Sequence, residues 1–278
     1  MAARLDPSET SETLETSETS GTPGDSGDSG EQIPVRVLGG PTVLIEYGGL
    51  RLLTDPTFDD PGDYPSPSGR TLIKTAPPRT SAAELGPVDV VLLSHDQHAD
   101  NLDHSGRALL AATPRTLTTP AAADRLGGTT EPLTPWQSVD LPRPDGGTVT
   151  VTAAPALHGP KGSEPLVGEV TGFLLTSADL PGVYVSGDNA SLELVQEIAD
   201  RYGPVDTAVL FAGAPRMPVL DDALLVLDGK GTATAARLLG ARRVVPAHCD
   251  SWAHFTETRE DVVRAFEAAG LADRLQLD

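Results

Sequence analysis

Four short apolar runs in this chain each deliver a His or an Asp just beyond their last residue, and that recurrence restricts the fold more than any other feature. Val88-Asp89-Val90-Val91-Leu92-Leu93 is followed by Ser94-His95, and Val149–Ala153 by Ala156-Leu157-His158. Val183–Val185 runs into Ser186-Gly187-Asp188, and Arg243–Val245 into Pro246-Ala247-His248. β-branched runs of this length bounded by turn residues read as strands, and open sheets place their sites just past strand C-termini. The chain has only six histidines. One His or Asp in a turn is usually a cap or a surface residue. Their repetition after successive strands makes a metal site the stronger reading. His95 and His98, with Asp96, Asp100 and Asp103 close by, add a ligand density that a structural turn does not need. His104 and His254 have no such placement and are left as ordinary polar residues or outer support.

The remaining pattern fits a sheet-based domain. Ile33, Val35 and Val37 alternate with polar residues or Pro, Gly39-Gly40 turns, Val43–Ile45 resumes, Gly48-Gly49 turns again, and Leu50–Leu53 follows, as in a meander. Further strands are expected at Gly172–Leu175 and Thr207–Phe211. Leu192, Leu194, Val195, Ile198, Ala199 and Tyr202 share a helical face, as do Val262, Val263, Phe266 and Ala269. Thr258 with Asp261 three residues on marks the start of the second helix, and Gly270 its stop. Early strands followed by strand–helix alternation give an α/β or α+β domain with helices on the outer faces. The Pro-, Gly- and Asp-rich stretch from Phe58 to Ala83 reads as a long loop, and loops of that length are often lids.

Composition narrows the function. Twenty Lys and Arg against 40 Asp and Glu leave a net charge of −20, which repels phosphate backbones and anionic membranes. No nucleic-acid partner and no membrane insertion are therefore expected; a small-molecule substrate is, and a homo-oligomer remains open. The single cysteine rules out an internal disulfide framework. No basic leader with an apolar core and no membrane-length apolar run occurs, so a cytoplasmic location is expected. Residues 1–32 hold eight acids, one base and almost nothing that could form a core. They read as a disordered acidic Ser/Thr-rich tail, with 33–278 as the folded domain.

At this point the motifs resemble a known family. Ser94-His95-Asp96-Gln97-His98-Ala99-Asp100-Asn101-Leu102-Asp103 is similar to the His-x-His-x-Asp-His-Leu-Asp signature of the metallo-β-lactamase fold. His158, Asp188 and His248 match, in order and rough spacing, that superfamily's third His, bridging Asp and last His. Leu52-Leu53-Thr54-Asp55-Pro56 resembles its early strand-end Asp motif. The branch resembled most is the ascorbate-6-phosphate lactonase-like group, with enzymes like N-acyl phosphatidylethanolamine phospholipase D as neighbours. The resemblance implies a four-layer αββα sandwich with metals at one edge between the sheets. It also implies His95, His98, Asp100, His158, Asp188 and His248 as metal ligands, with Asp188 bridging and Asp55 orienting a ligand imidazole. Two departures stand out. One residue is inserted, so His95 and His98 lie three apart around Gln97, a poor ligand beside imidazole. Asn101 occupies the position of a second-site His.

These ligands imply a metal-dependent hydrolase. A divalent ion lowers the pKa of bound water towards ~7, and the resulting hydroxide would attack a small ester, lactone or phosphodiester, with Asp100 and Asp188 as the catalytic carboxylates. Zinc is expected, tightly at the first site and weakly at the second, where the harder donors also suit manganese or iron. The alternative is a non-catalytic or redox metal-binding descendant of the fold, which Asn101 favours. Arg70, Lys74, Arg79 and Lys161 are candidate rim cations, and Tyr64, Lys74 and Trp252 candidate pocket residues. Cys249 lacks an evident base partner and reads as a small residue beside a ligand.

Overall fold

Inward and outward side chains alternate along the strands, and that alternation builds three apolar layers. In the computed structural model, which describes residues 32–65 and 71–277, the first sheet contains β1 (Val35–Gly39), β2 (Thr42–Tyr47) and β3 (Leu50–Thr54). A separate hairpin, β4 (Gly62–Pro65) and β5 (Thr71–Lys74), precedes the short helix α1 (Ala82–Leu85). The first sheet continues with β6 (Val90–Leu92), helix α2 (His104–Ala112), β7 (Arg115–Thr118), helix α3 (Pro120–Leu126) and β8 (Thr130–Pro132). Its strand order is β1-β2-β3-β6-β7-β8.

The second sheet begins with β9 (Ser138–Pro142), β10 (Thr148–Pro155), helix α4 (Glu164–Val167), β11 (Thr171–Ser177) and β12 (Leu180–Val185). Helix α5 (Leu192–Tyr202), β13 (Thr207–Phe211), the two-residue strands β14 (Arg216–Met217) and β15 (Ala223–Leu224), helix α6 (Gly229–Leu238), β16 (Arg243–Ala247) and helix α7 (Arg259–Ala269) follow. Its order is β16-β13-β12-β11-β10-β9.

Leu52, Val90 and Leu92 of the first sheet share one buried cluster with Val183, Val185, Val209 and Val245 of the second. Their sequence neighbours point the other way, as the two-residue strand period requires. Leu53, Val91 and Leu93 pack on Leu102 and Leu110, while Tyr184, Ala208 and Val244 pack on Val195, Ile198, Val262 and Phe266. This is the expected αββα sandwich. Burying each such side chain contributes ~1.5–3 kcal/mol, so the sheets hold the site without help from it.

The two helices read from periodicity are present as α5 and α7. Ser191 caps α5 by accepting the Leu194 N–H, and Asp261 accepts the Thr258 N–H at the start of α7. Gly270 ends α7 at φ 68°. The segment expected to be one long loop instead holds the β4–β5 hairpin, in the register Gly62↔Lys74, and α1. The hairpin is pinned from outside by the Lys74↔Trp252 bridge, a contact that local composition does not carry. The acidic tail and Arg70 lie outside the described residues. Among the described residues, no helix is long and apolar enough to cross a membrane.

Candidate metal centre

The parallel pairings β3–β6, β12–β13 and β13–β16 bring Asp55, His95, Asp188 and His248 to one edge of the sandwich, and His158 follows β10 to the same place. The chain bends sharply to achieve this. Asp55 and His248 have φ of 31° and 53°, a left-handed backbone that costs roughly 1–2 kcal/mol in residues other than Gly. Local bonds hold both. Thr42 Oγ1 donates to Asp55 O at 2.8 Å, and the His248 N–H donates to Gly40 O at 2.7 Å, so the Gly39-Gly40 turn clamps the end of β16. Before Asp188, Gly187 sits at φ +55°, where a Cβ would lie 2.6 Å from Thr171 O and 3.0 Å from Ser94 Cβ. Only Gly fits there.

Three imidazoles and one carboxylate converge at this edge. Ligand atoms of His95, His98, His158 and Asp188 all lie within 4.8 Å of one another. His95 Nε2 and His98 Nδ1 face each other at 3.0 Å. His158 Nδ1 donates to Leu225 O at 2.8 Å; the carbonyl only accepts, so Nδ1 carries the proton and the Nε2 lone pair is left free. Nε2 lies 3.7 Å from Asp188 Oδ2. Burial, reinforced by neighbouring His158, pushes His98 down to about 4. Burial and His98 push His95 well below its ordinary value. Both rings are therefore neutral at pH 7, as metal ligands must be. Burial works against a charge on Asp188, but the charge of His248 and the hydrogen bond from it hold the carboxylate below its usual range. Neutral imidazoles around an ionised carboxylate fit a borderline divalent cation such as zinc.

A second group adjoins the first. Asp100 Oδ2 lies 3.2 Å from His248 Nε2 and 3.0 Å from His254 Nε2, while His248 Nδ1 is 3.0 Å from Asp188 Oδ1. Burial opposes a charge on His248 as well, but Asp188 and Asp100 outweigh it and push the ring up to about 10 in the metal-free protein, so a cation held here would displace a ring proton. Asn101 Nδ2 donates to Asp188 Oδ1 at 3.1 Å. Asp55 differs from its expected role. Its Oδ1 accepts the Ser94 N–H at 2.6 Å rather than a ligand imidazole, because the left-handed turn aims the carboxylate at the start of the His95 loop. Burial and Asp188 raise its pKa well above the ordinary value.

Among the other candidates, Gln97 is exposed and its side chain lies over Gly168, away from the imidazoles. His104 pairs with Asp59 at the surface. Lys74 is not a rim cation, because its ammonium is buried against Asp103 Oδ2 and Thr57 O. Arg79 lies near Asp250, and Lys161 is exposed. Tyr64 and Trp252 meet edge to face, with Trp252 buried. Burial pushes the Cys249 thiol up to about 12, which removes its value as a nucleophile. Sequence reasoning set His254 aside, yet it reaches Asp100. The sequence trace was a His between two aromatic residues, Trp252 and Phe255, in the loop after the His248 strand end.

A cavity of about 510 Å³ opens on both groups, lined by His98, Asp100, His158, Asp188 and His254 on the polar side. Residues 50–249 match the family described as the β-lactamase superfamily domain. The chain belongs to the β-lactamase superfamily. Within that superfamily it is 25% identical over 247 residues to a UPF0173 metal-dependent hydrolase of Pyrobaculum aerophilum, covering 86% of this chain and 93% of the relative. Its fold is similar to that of isothiocyanate hydrolase from Delia radicum gut bacteria, with TM-score 0.72, 19% identity and coverage of 87% and 94%. It is also similar to a possible metal-dependent hydrolase from Veillonella parvula, with TM-score 0.73, 17% identity and coverage of 88% and 95%. Superfamily membership and the His/Asp donor set together make this β-lactamase superfamily protein a metal-dependent hydrolase.

Proposed function

We propose that the enzyme hydrolyses a small, largely apolar ester or lactone at a zinc centre held by His95, His98, His158 and Asp188, with manganese or iron suited to the harder Asp100 side. The observation that carries this reading is the contrast between the two walls of the cavity. Its inner end holds the His and Asp donors, and its mouth is formed by Leu72, Leu166, Met217, Pro218 and Val219. Leu166 and Val219 are 56% and 73% exposed, and apolar residues so exposed around a polar centre mark a ligand site. Among the described residues Arg216 is the one Lys or Arg on this lining, and its Nη1 donates to Asp222 O. The single negative charge of a phosphodiester would meet, among the described lining residues, only this already engaged arginine beside the metal, whereas the apolar wall suits an uncharged acyl body, so an ester or lactone is favoured over a phosphodiester.

A divalent ion bound here supplies Lewis acidity and lowers the pKa of water towards ~7. The protein supplies the positioning. The Leu225 carbonyl fixes the His158 tautomer, and Asn101 holds the Asp188 carboxylate in place. Asp100 Oδ1, buried and without a hydrogen-bond partner, is the acceptor that orients the attacking water. The apolar mouth excludes bulk water and holds the acyl body, which strengthens every charge interaction inside.

Zinc-loaded protein assayed with p-nitrophenyl esters of rising acyl length, γ-lactones and bis(p-nitrophenyl) phosphate tests this proposal. Esters or lactones should lead, with kcat/KM rising with acyl length. A preference for the phosphodiester would overturn the substrate class. Bound metal without turnover of any member of the panel would favour the non-catalytic or redox alternative.

A further inference from the structure

We infer that His254 is a ligand of a second divalent cation, shared with Asp100, His248 and Asp188, and that it replaces from another loop the imidazole missing at Asn101. Three observations converge on it. The Asn101 amide is committed to the Asp188 carboxylate, its Nδ2 donating to Asp188 Oδ1 at 3.1 Å and lying 3.5 Å from Ser94 Oγ, and an amide is a weak ligand beside imidazole. Two imidazole nitrogens, His248 Nε2 and His254 Nε2, converge on the single oxygen Asp100 Oδ2 at 3.2 and 3.0 Å. Asp100 is 4% exposed, and its other oxygen has no hydrogen-bond partner, so this buried carboxylate keeps free acceptor capacity. It can serve an ion through one oxygen and a water through the other. Two imidazoles with carboxylates are a zinc-competent donor set, whereas one imidazole with an amide is a poor one.

The loop carrying His254 is built to hold it there. The Phe255 ring packs between the two imidazoles, with centroids 4.6 Å from His248 and 4.5 Å from His254. Trp252 is buried beneath Lys74 Nζ, 5.6 Å from its ring centroid. The Ala253 N–H donates to Ile73 O at 2.9 Å, and the Thr256 N–H to Gly213 O at 3.0 Å. These anchors fix both ends of the tetrapeptide. His254, 26% exposed at its side chain, faces the cavity that the first metal group also lines. A ligand supplied this way needs no His next to Asp100, which accounts for the tolerance of Asn at position 101.

The inference rests on the metal dependence proposed above but not on the substrate. Metal stoichiometry and chelator-competition affinity, measured with zinc on the full chain, test it. Wild type should hold two ions, and His254→Ala one, with the affinity of the lost ion reduced by more than the ~10–100-fold typical of outer-shell changes. The double variant His254→Ala/Asn101→His, which returns an imidazole to the family position, should regain the second ion. Far-ultraviolet circular dichroism of the metal-free variants should match wild type, which separates loss of a ligand from loss of fold. Two ions held unchanged by His254→Ala would overturn the inference, as would a single ion in wild type. No ion in wild type would instead defeat the metal-dependence reading itself.

Discussion

The Asn101 amide donates to Asp188 Oδ1 across 3.1 Å, joining residues 87 apart in sequence. Asn101 lies in the loop between β6 and α2, and Asp188 just past β12, so this bond ties segments that follow the two sheets together at the metal edge. Asn101→Asp would put a like charge against a buried carboxylate. It should destabilise the metal-free protein by more than the ~1–3 kcal/mol of an unsatisfied neutral buried group, because the acceptor is charged. Much of that loss should return on zinc addition, because a cation between the carboxylates relieves their repulsion. Thermal melts with chelator and with zinc read the difference, and equal losses in the two conditions would count against the placement.

Gly187→Ala forces a Cβ to within 2.6 Å of Thr171 O at φ +55°. Strain of this kind costs about 1–3 kcal/mol, and relieving it moves Asp188, the next residue. The variant should melt lower and lose zinc affinity together. A lower melting temperature with unchanged zinc affinity would show that Asp188 is not held through this turn.

The apolar mouth can be probed without touching the donors. Leu166→Ser and Val219→Ser should each raise KM for long-acyl esters while leaving kcat nearly unchanged, because they remove contact that ground state and transition state share equally. Losing a hydrophobic contact of this size is worth ~1–3 kcal/mol. Short-acyl esters, which do not reach the mouth, should respond less. Equal effects on short and long esters would contradict this use of the cavity.

The strand-end residues His95, His158, Asp188 and His248 were legible because each follows a buried β-run, and a strand's end is written in its own sequence. The helices α5 and α7 were legible for the same local reason. The strands Arg115–Thr118 and Thr130–Pro132 were not, because they are short and are held by pairing with their neighbours, β7 on β6 and β8 on β7, rather than by their own residues. α6 begins Gly-Lys-Gly-Thr, in which the two glycines and Thr are poor helix formers, and forms through packing against α5 and α7. The β4–β5 hairpin was hidden by its Pro and Gly content. His254 was hidden for a different reason. Its place beside Asp100 is set by Trp252 and Phe255 packing in three dimensions, and nothing in the spacing from His248 encodes that approach.

Asp59 gives a pH signature at the α2 end of the site. Burial alone would raise its pKa, but bonds from the Ser105 hydroxyl and backbone, at 2.5 and 3.0 Å, and from the His104 backbone, at 3.0 Å, hold it lower. A depressed carboxylate contributes stability fully above its unfolded value, ~3.9, and loses it as pH falls through the lower folded value. Asp59→Asn should therefore lower the melting temperature at pH 7, by about 1 kcal/mol of stability, and the gap to wild type should close below pH 4. A gap that stays constant down to pH 3 would show that the carboxylate's charge is not what these bonds recognise.

Metal content per chain, compared between wild type and His158→Ala, is the most direct test of whether His95, His98, His158 and Asp188 hold a catalytic divalent ion. The two proteins are exhaustively chelated, reloaded with zinc, dialysed and assayed by elemental analysis. The variant should hold one ion fewer than wild type at unchanged circular dichroism, since it loses one of the four converging donors. Equal zinc content in the two proteins would contradict this placement of the ion.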